Sequence, residues 1–323
     1  MNLPLSIPSP SVSYFQVGPL QIHFYALCIL AGIIAAALLT NYRLNKRGAE
    51  RGIILDMILW TVPFGIVGAR IFHVLTHPND YFYPGAELWK VIAIWEGGIA
   101  IFGALLGGAI GAYIGCRVLG LRFWTFADAL APGLLLAQAF GRFGNYFNHE
   151  LFGTPTNGWW GLEIESSNPA YPIGLPNGTL FQPTFAYEVI WNLLGVAVIL
   201  LLERKLGLQW GKVIAVYLIW YGLGRIVWES IRIDPSEIFF GLRVNVWAAI
   251  FAVVAGILIF VVQSRRHTGL EPSAYVPGRE FNATAAGVDS KNTDAGYVDL
   301  SEPEDTKPDS DAAVATSTTG SHK

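Results

Sequence analysis

The chain has 323 residues, 53% of them hydrophobic and only 14% charged, with a mean hydropathy of +0.43. Soluble domains carry about 25% charged residues, so this composition excludes an ordinary soluble domain and predicts a polytopic membrane protein. The net charge of −3 conceals a split: from Thr268 onward four Lys/Arg stand against ten Asp/Glu, which leaves that stretch at −6 and the rest at +3. No exposed segment carries a basic stripe, and nucleic-acid binding is excluded on that ground.

Residues 1–19 are rich in Pro and Ser and carry no charged side chain, which predicts a short extramembrane segment. They lack a basic n-region and a small-residue cleavage site, so no removable signal peptide is expected. The first predicted span covers 23–40. It runs into a segment holding Arg43, Lys46, Arg47 and Arg51, which the positive-inside rule places in the cytoplasm with the N-terminus outside. A second span is predicted over 53–76, kinked near Pro63 and Gly65, with Arg70 and His73 close to its outer end. The third, over 92–119, repeats Gly103, Gly107, Gly111 and Gly115 at intervals of four, a small-residue face for close helix packing. Cys28 and Cys116 fall in separate apolar runs and read as small buried hydrophobes, with no disulfide between them.

A fourth span begins near Phe126 and ends in Gly141-Arg142-Phe143-Gly144-Asn145-Tyr146-Phe147-Asn148-His149-Glu150. An arginine at a bilayer helix costs about 2.5 to 3.5 kcal/mol on insertion scales, so Arg142 is either a site residue or one that snorkels to the interface. Gly141 and Gly144 beside it clear side-chain bulk for a close approach. No Lys or Arg occurs between Phe143 and Leu202, which predicts an external, ordered loop over 151–182 and a fifth span from about Pro183 to Glu203. The sixth span, 212–231, carries Tyr221, Arg225, Glu229 and, just past it, Arg232 at spacings of four, four and three, which puts them on one face as a site or as a salt-bridged stripe. A seventh span covers 244–262. The expected organisation is an all-α, seven-helix transmembrane body over 1–267, N-terminus outside, and a disordered, acidic cytoplasmic tail over 268–323 whose composition cannot build a core.

In this topology Arg70, Arg142, Arg225, Arg232, Glu150, Glu188 and Glu229 fall toward the outer half of the spans, where a guanidinium cluster suits a phosphate-bearing headgroup. The six histidines are scattered, so no metal or other cofactor is expected. A transporter of an anionic solute would also place arginines on helix faces; against it stand the lack of a visible inverted repeat and the bias of polar groups to one side.

The stretch 141–150 resembles the signature of the prolipoprotein diacylglyceryl transferase family, and Tyr221-Gly222-Leu223-Gly224-Arg225-Ile226-Val227-Trp228-Glu229-Ser230-Ile231-Arg232 resembles that family's second polar motif. Trp95-Glu96-Gly97-Gly98, Gln182-Pro183-Thr184 with Tyr187-Glu188, and His23-Phe24-Tyr25 also sit where the family has comparable residues, so the resemblance spans about 20–263. It implies a multi-pass enzyme of the bacterial plasma membrane that moves the diacylglyceryl group of phosphatidylglycerol onto the lipobox cysteine of prolipoproteins, releasing glycerol phosphate. Under it, Arg225, Glu229, Glu150 and Asn145 are the expected catalytic group, and Arg142, Tyr25, Tyr221, Arg232 and Arg70 the expected substrate-binding group. One departure stands out: Phe102-Gly103-Ala104 occupies the place of the family's His-Gly-Gly. The base is then Glu150, a water, or the arginine field alone.

Overall fold

Apolar runs of this length can satisfy their backbone in a bilayer only as helices. The computed structural model describes residues 6–280, and has them as α1 Phe24–Lys46, α2 Ile53–Thr76, α3 Ile101–Leu119, α4 Phe123–Phe147, α5 Thr184–Leu206, α6 Lys212–Ile231 and α7 Val244–Arg266. All seven are long and apolar enough to cross a membrane, consistent with the expected polytopic protein. Three short hairpins decorate one end: β1 Tyr14–Val17 with β2 Leu20–His23, β3 Leu162–Glu163 with β4 Leu180–Phe181, and β5 Ile238–Phe239 with β6 Leu242–Arg243. The 151–182 loop is ordered as expected, around Phe152, Leu162, Ile164 and Phe181.

α4 is the central helix. In its most apolar window 56% of residues are buried, against at most 33% in any other helix. α1, α5 and α6 pack on it, α7 packs on α6, and α2 and α3 form a hairpin of their own. The glycine face closes that hairpin: a Cβ at Gly107 would lie 2.2 Å from the carbonyl oxygen of Phe64, and one at Gly103 2.3 Å from that of Gly68. The α2–α3 backbones thus meet almost directly, as the sequence predicts. Cys116 is buried and Cys28 half-buried, both as free thiols.

Three expectations are corrected. Residues 92–100 are not α-helical: Leu88–Ile92 and Ile94–Glu96 are short 3-10 segments, and Gly97 and Gly98 at φ 91° and 74° break the chain before α3. Arg70 on α2 holds this segment, donating to the carbonyls of Lys90, Val91, Gly97 and Gly98. The basic segment after the first span is not a plain exposed loop either. α1 continues into it as far as Lys46, and Arg43 and Arg47 are buried on the Glu203 carboxylate of α5, both at 2.6 Å.

The third correction concerns the tail, whose first residues pack on the body. Ala274 and Tyr275 are buried in the core formed by α1 to α4, Leu121 bridges to Tyr275, and the Tyr275 hydroxyl accepts from the Glu50 amide at 3.0 Å. Glu271 is fully buried, accepting from Thr125 Oγ1 at 2.5 Å and the Trp210 amide at 3.0 Å. Beside it Asp128 of α4, also fully buried, accepts from the amides of Gly211 and Ile214 at 2.8 and 2.9 Å. It thereby caps α6, whose own N-cap residue, Gly211, has no side chain. The remainder of the expected tail, 281–323, lies outside the described residues.

Candidate active site

The polar side chains at the far end of the bundle come from the ends of α4, α5 and α6. α4 stops at Phe147, and the chain reverses through His149 and Leu151, both non-glycine residues at positive φ (52° and 58°). Such backbone is uncommon and persists where surroundings hold it. Here Asn168 Nδ2 donates to the His149 carbonyl at 2.9 Å, the His149 ring pairs with Glu165 at 2.7 Å, and Thr184 Oγ1 donates to the Leu151 carbonyl. Burial, the largest single influence, would raise the Glu165 carboxyl, but the hydrogen bond from His149, a backbone hydrogen bond and the His149 charge together hold it below its ordinary value. The reversal returns Glu150 to its own helix end, where its Oε1 accepts from Asn145 Nδ2 at 2.8 Å. Asn145 Oδ1 in turn accepts from Arg142 at 3.2 Å.

Arg142 also pairs with Glu188 of α5 at 2.7 Å. Across from it on α6, Arg225 pairs with Glu229 at 3.0 Å, one helical turn on. Glu229 is fully buried and is a hub: it further holds Arg232 at 3.4 Å, Arg243 at 3.2 Å and the Asn245 amide at 3.0 Å. Between the three helices lies a cavity of about 150 Å³, walled by Gln138 and Arg142 of α4, Glu188 and Asn192 of α5, and Tyr221 and Arg225 of α6. Trp191 and Trp228 complete the wall. Gly224 admits Trp191, since a Cβ there would lie 2.2 Å from its Nε1.

The structure therefore brings Arg142, Arg225 and Tyr221 together on one cavity, with Asn145, Glu150 and Glu229 holding the arginines. Tyr25 comes from α1 and packs against the last turn of α4, its Cδ2 2.6 Å from where a Cβ of Gly144 would be. Gly144 thus makes room for a protein side chain, whereas Gly141 faces open space. Arg232 and Arg70 do not line the cavity. Arg232 chelates Asp234 at 2.7 and 2.8 Å in addition to Glu229, and Arg70 is engaged by the four carbonyls before α3. Phe102 packs against Phe72 of α2, ring centroids 6.2 Å apart. Missing from the sequence-derived site are Gln138, Asn192, Trp228, Arg243 and Asn245; the signal was available for two, because Gln138 stands four residues before Arg142 and Asn192 four after Glu188, on shared helix faces.

Fold and site together define a polytopic membrane protein with a cavity among its helices lined by Arg142, Arg225 and Glu188. The chain belongs to the prolipoprotein diacylglyceryl transferase family, whose model matches residues 12–262. Among its relatives, a phosphatidylglycerol–prolipoprotein diacylglyceryl transferase of Leifsonia xyli is 58% identical, with 98% of each chain covered. Proteins of the same name from Paenarthrobacter aurescens (45% identical, 89% of this chain and 93% of that one) and Streptomyces coelicolor (41%, 91% and 90%) are similar along nearly the whole length as well.

Proposed function

We propose that this protein transfers the diacylglyceryl group of phosphatidylglycerol to the thiol of a lipobox cysteine in prolipoproteins, releasing glycerol 1-phosphate. The observation that carries the reading is the pair of arginines, Arg142 and Arg225, facing each other across a cavity of headgroup size in a chain of this family. In the reaction the substrate thiolate attacks the glycerol carbon; the carbon–sulfur bond forms, the carbon–oxygen bond to phosphate breaks, and the electron pair leaves on the phosphate. A thiol of pKa about 8.5 and a departing phosphate both gain from fixed positive charge.

Arg142 binds the lipid phosphate, oriented by Glu188 and by the Asn145–Glu150 chain. Arg225, fixed by Glu229, meets the charge that develops on the leaving phosphate. Tyr221 donates to the headgroup from the cavity wall, and Tyr25 from the side of α4. Arg232 and Arg70, expected from sequence to touch substrate, serve this reading as scaffold for the Glu229 hub and the 90–98 segment. The protein lies in the bacterial plasma membrane with its N-terminus and the Arg142 end outside and its acidic C-terminal region in the cytoplasm. Transport of an anionic solute is not favoured, since the relatives over nearly the full chain carry a transferase name. The test is direct: purified protein, phosphatidylglycerol labelled in its acyl chains, and a lipobox peptide. Label should appear on the peptide cysteine as a thioether; a peptide left unlabelled by folded protein overturns the reading.

A further inference from the structure

Buried polar atoms in folded proteins are almost always hydrogen-bonded, and one left without a partner costs about 1–3 kcal/mol. Among the described residues, four buried side-chain atoms have none: Gln138 Oε1, Trp228 Nε1, Trp210 Nε1 and Gln263 Oε1. The residues that carry the first two both belong to the wall of one cavity, the one that holds Arg142 and Arg225. Both are fixed in place. The Gln138 amide nitrogen donates to the Tyr217 hydroxyl at 3.1 Å, which turns its oxygen away from that bond, and the Trp228 ring lies between Tyr187 and Trp191, at centroid distances of 5.7 and 6.2 Å.

We infer that Gln138 and Trp228 complete the binding of the lipid headgroup, and that Gln138 sets its chemistry by accepting a hydrogen bond from a headgroup hydroxyl. The inference rests on the transferase reading above. A phosphate held by the arginines offers only acceptors. It can satisfy the indole N–H of Trp228, but an amide oxygen needs a donor. An ammonium headgroup would supply one beside two guanidiniums, against their charge; a hydroxyl supplies one without charge. A cavity of about 150 Å³ takes a small phosphorylated polyol and not the whole lipid. Gln138 is thus a specificity residue on α4, one turn before the arginine that holds the phosphate.

The test compares two donors with the same acyl chains, phosphatidylglycerol and phosphatidylpropanol, whose headgroup carries no hydroxyl, in transfer to a lipobox peptide. Wild-type kcat/KM should favour phosphatidylglycerol by roughly 10- to 100-fold, the size of one unmatched buried hydrogen bond. Gln138→Leu and Gln138→Met should lose most of that preference, by raising KM for phosphatidylglycerol far more than KM for phosphatidylpropanol. Trp228→Phe should lower kcat/KM for both donors by the same factor. A wild type without preference, or a preference kept in whichever glutamine variant folds, overturns the inference. No transfer from either donor by folded wild-type protein overturns the transferase reading, and this inference with it.

Discussion

Glu229 carries more than its helix-face spacing suggests. One buried carboxylate neutralises parts of three guanidiniums, Arg225, Arg232 and Arg243, so its loss leaves like charges facing each other with little water to screen them. On spacing alone Glu229→Gln would be mild, because an amide still hydrogen-bonds Arg225. The hub geometry gives a different expectation: Glu229→Gln should lower stability by about 3–5 kcal/mol, the usual cost of breaking a buried ion pair from one side. Thermal unfolding in detergent micelles measures this, and a wild-type melting temperature would refute it. The two cavity arginines separate by kinetics. Arg225→Ala should cut kcat about 100- to 1,000-fold with KM for the lipid little changed, as for the loss of one preorganised donor to a developing anion. Arg142→Ala should raise KM and lower kcat together, and lysine at either place should rescue only in part because the planar fork is lost. Asp234 gives the hub a pH dependence. Burial would raise its carboxyl, but hydrogen bonds and charge from Arg232 outweigh burial and hold it below the usual range. With the folded value depressed, its stabilisation is full above the unfolded pKa of about 3.9 and fades as pH falls through the lower folded value. Asp234→Asn should therefore melt below wild type at neutral pH, with the gap closing in acid.

Among the elements, the strap over 271–279 and the α2–α3 hairpin show what patterning can and cannot reveal. The limits of α2 and α6 match the sequence reading at both ends, because the apolar runs are bounded by Gly52 and His77-Pro78 and by Gly211 and Arg232. α1 and α7 run further than their apolar stretches, to Lys46 and Arg266; a charged residue stops a hydropathy window but not a helix, and Arg43 finds its partner 160 residues away in Glu203. The start of α3 was hidden for the opposite reason, since 92–100 is apolar enough to pass for a span while Gly97 and Gly98 forbid helical backbone there. Of the site, the charged members were legible from i+3 and i+4 spacing. Gln138 and Asn192 were legible by the same spacing, four residues from Arg142 and Glu188, but Trp228 was not, since a single aromatic residue in an apolar helix looks like packing. The strap was lost in an acidic composition that predicts disorder. Its packing predicts that truncation after His267 lowers the melting temperature, by uncovering Thr125 and the Trp210 amide, whereas truncation after Glu280 does not. Equal melting of both truncations with the full chain would return the strap to the tail. Gly107→Ala should part α2 from α3, because its Cβ would meet a backbone carbonyl that no rotamer change can move.

At the scale of the whole molecule the charges divide by end. One end carries Arg43, Arg47, Asp128, Glu203 and Glu271, a network whose ion pairs and hydrogen bonds join α1, α4 and α5, the start of α6 and the strap. The other carries the cavity arginines and the Glu229 hub. Because α4 runs from Asp128 at the first end to Arg142 at the second, the network that fixes one end also sets the height and rotation of the arginine at the other. A buried central helix of this kind suits a site that must meet a lipid in one leaflet and a secreted peptide on the same side. The orientation then decides which leaflet. Basic residues concentrated near Arg43 to Arg51 and Arg265 to Arg266, with none from Gly144 to Leu202, support the proposed orientation, in which the first end lies in the cytoplasm and the cavity opens toward the outer leaflet. Single cysteines in a background lacking Cys28 and Cys116 test this with an impermeant maleimide on intact cells. Asp80→Cys and Asn177→Cys, both exposed and at the Arg142 end, should label from outside, while Thr268→Cys should label only after the membrane is opened. Labelling of Thr268→Cys alone in intact cells would invert the protein, place its cavity on the cytoplasmic leaflet, and leave a secreted precursor with no access to the arginines.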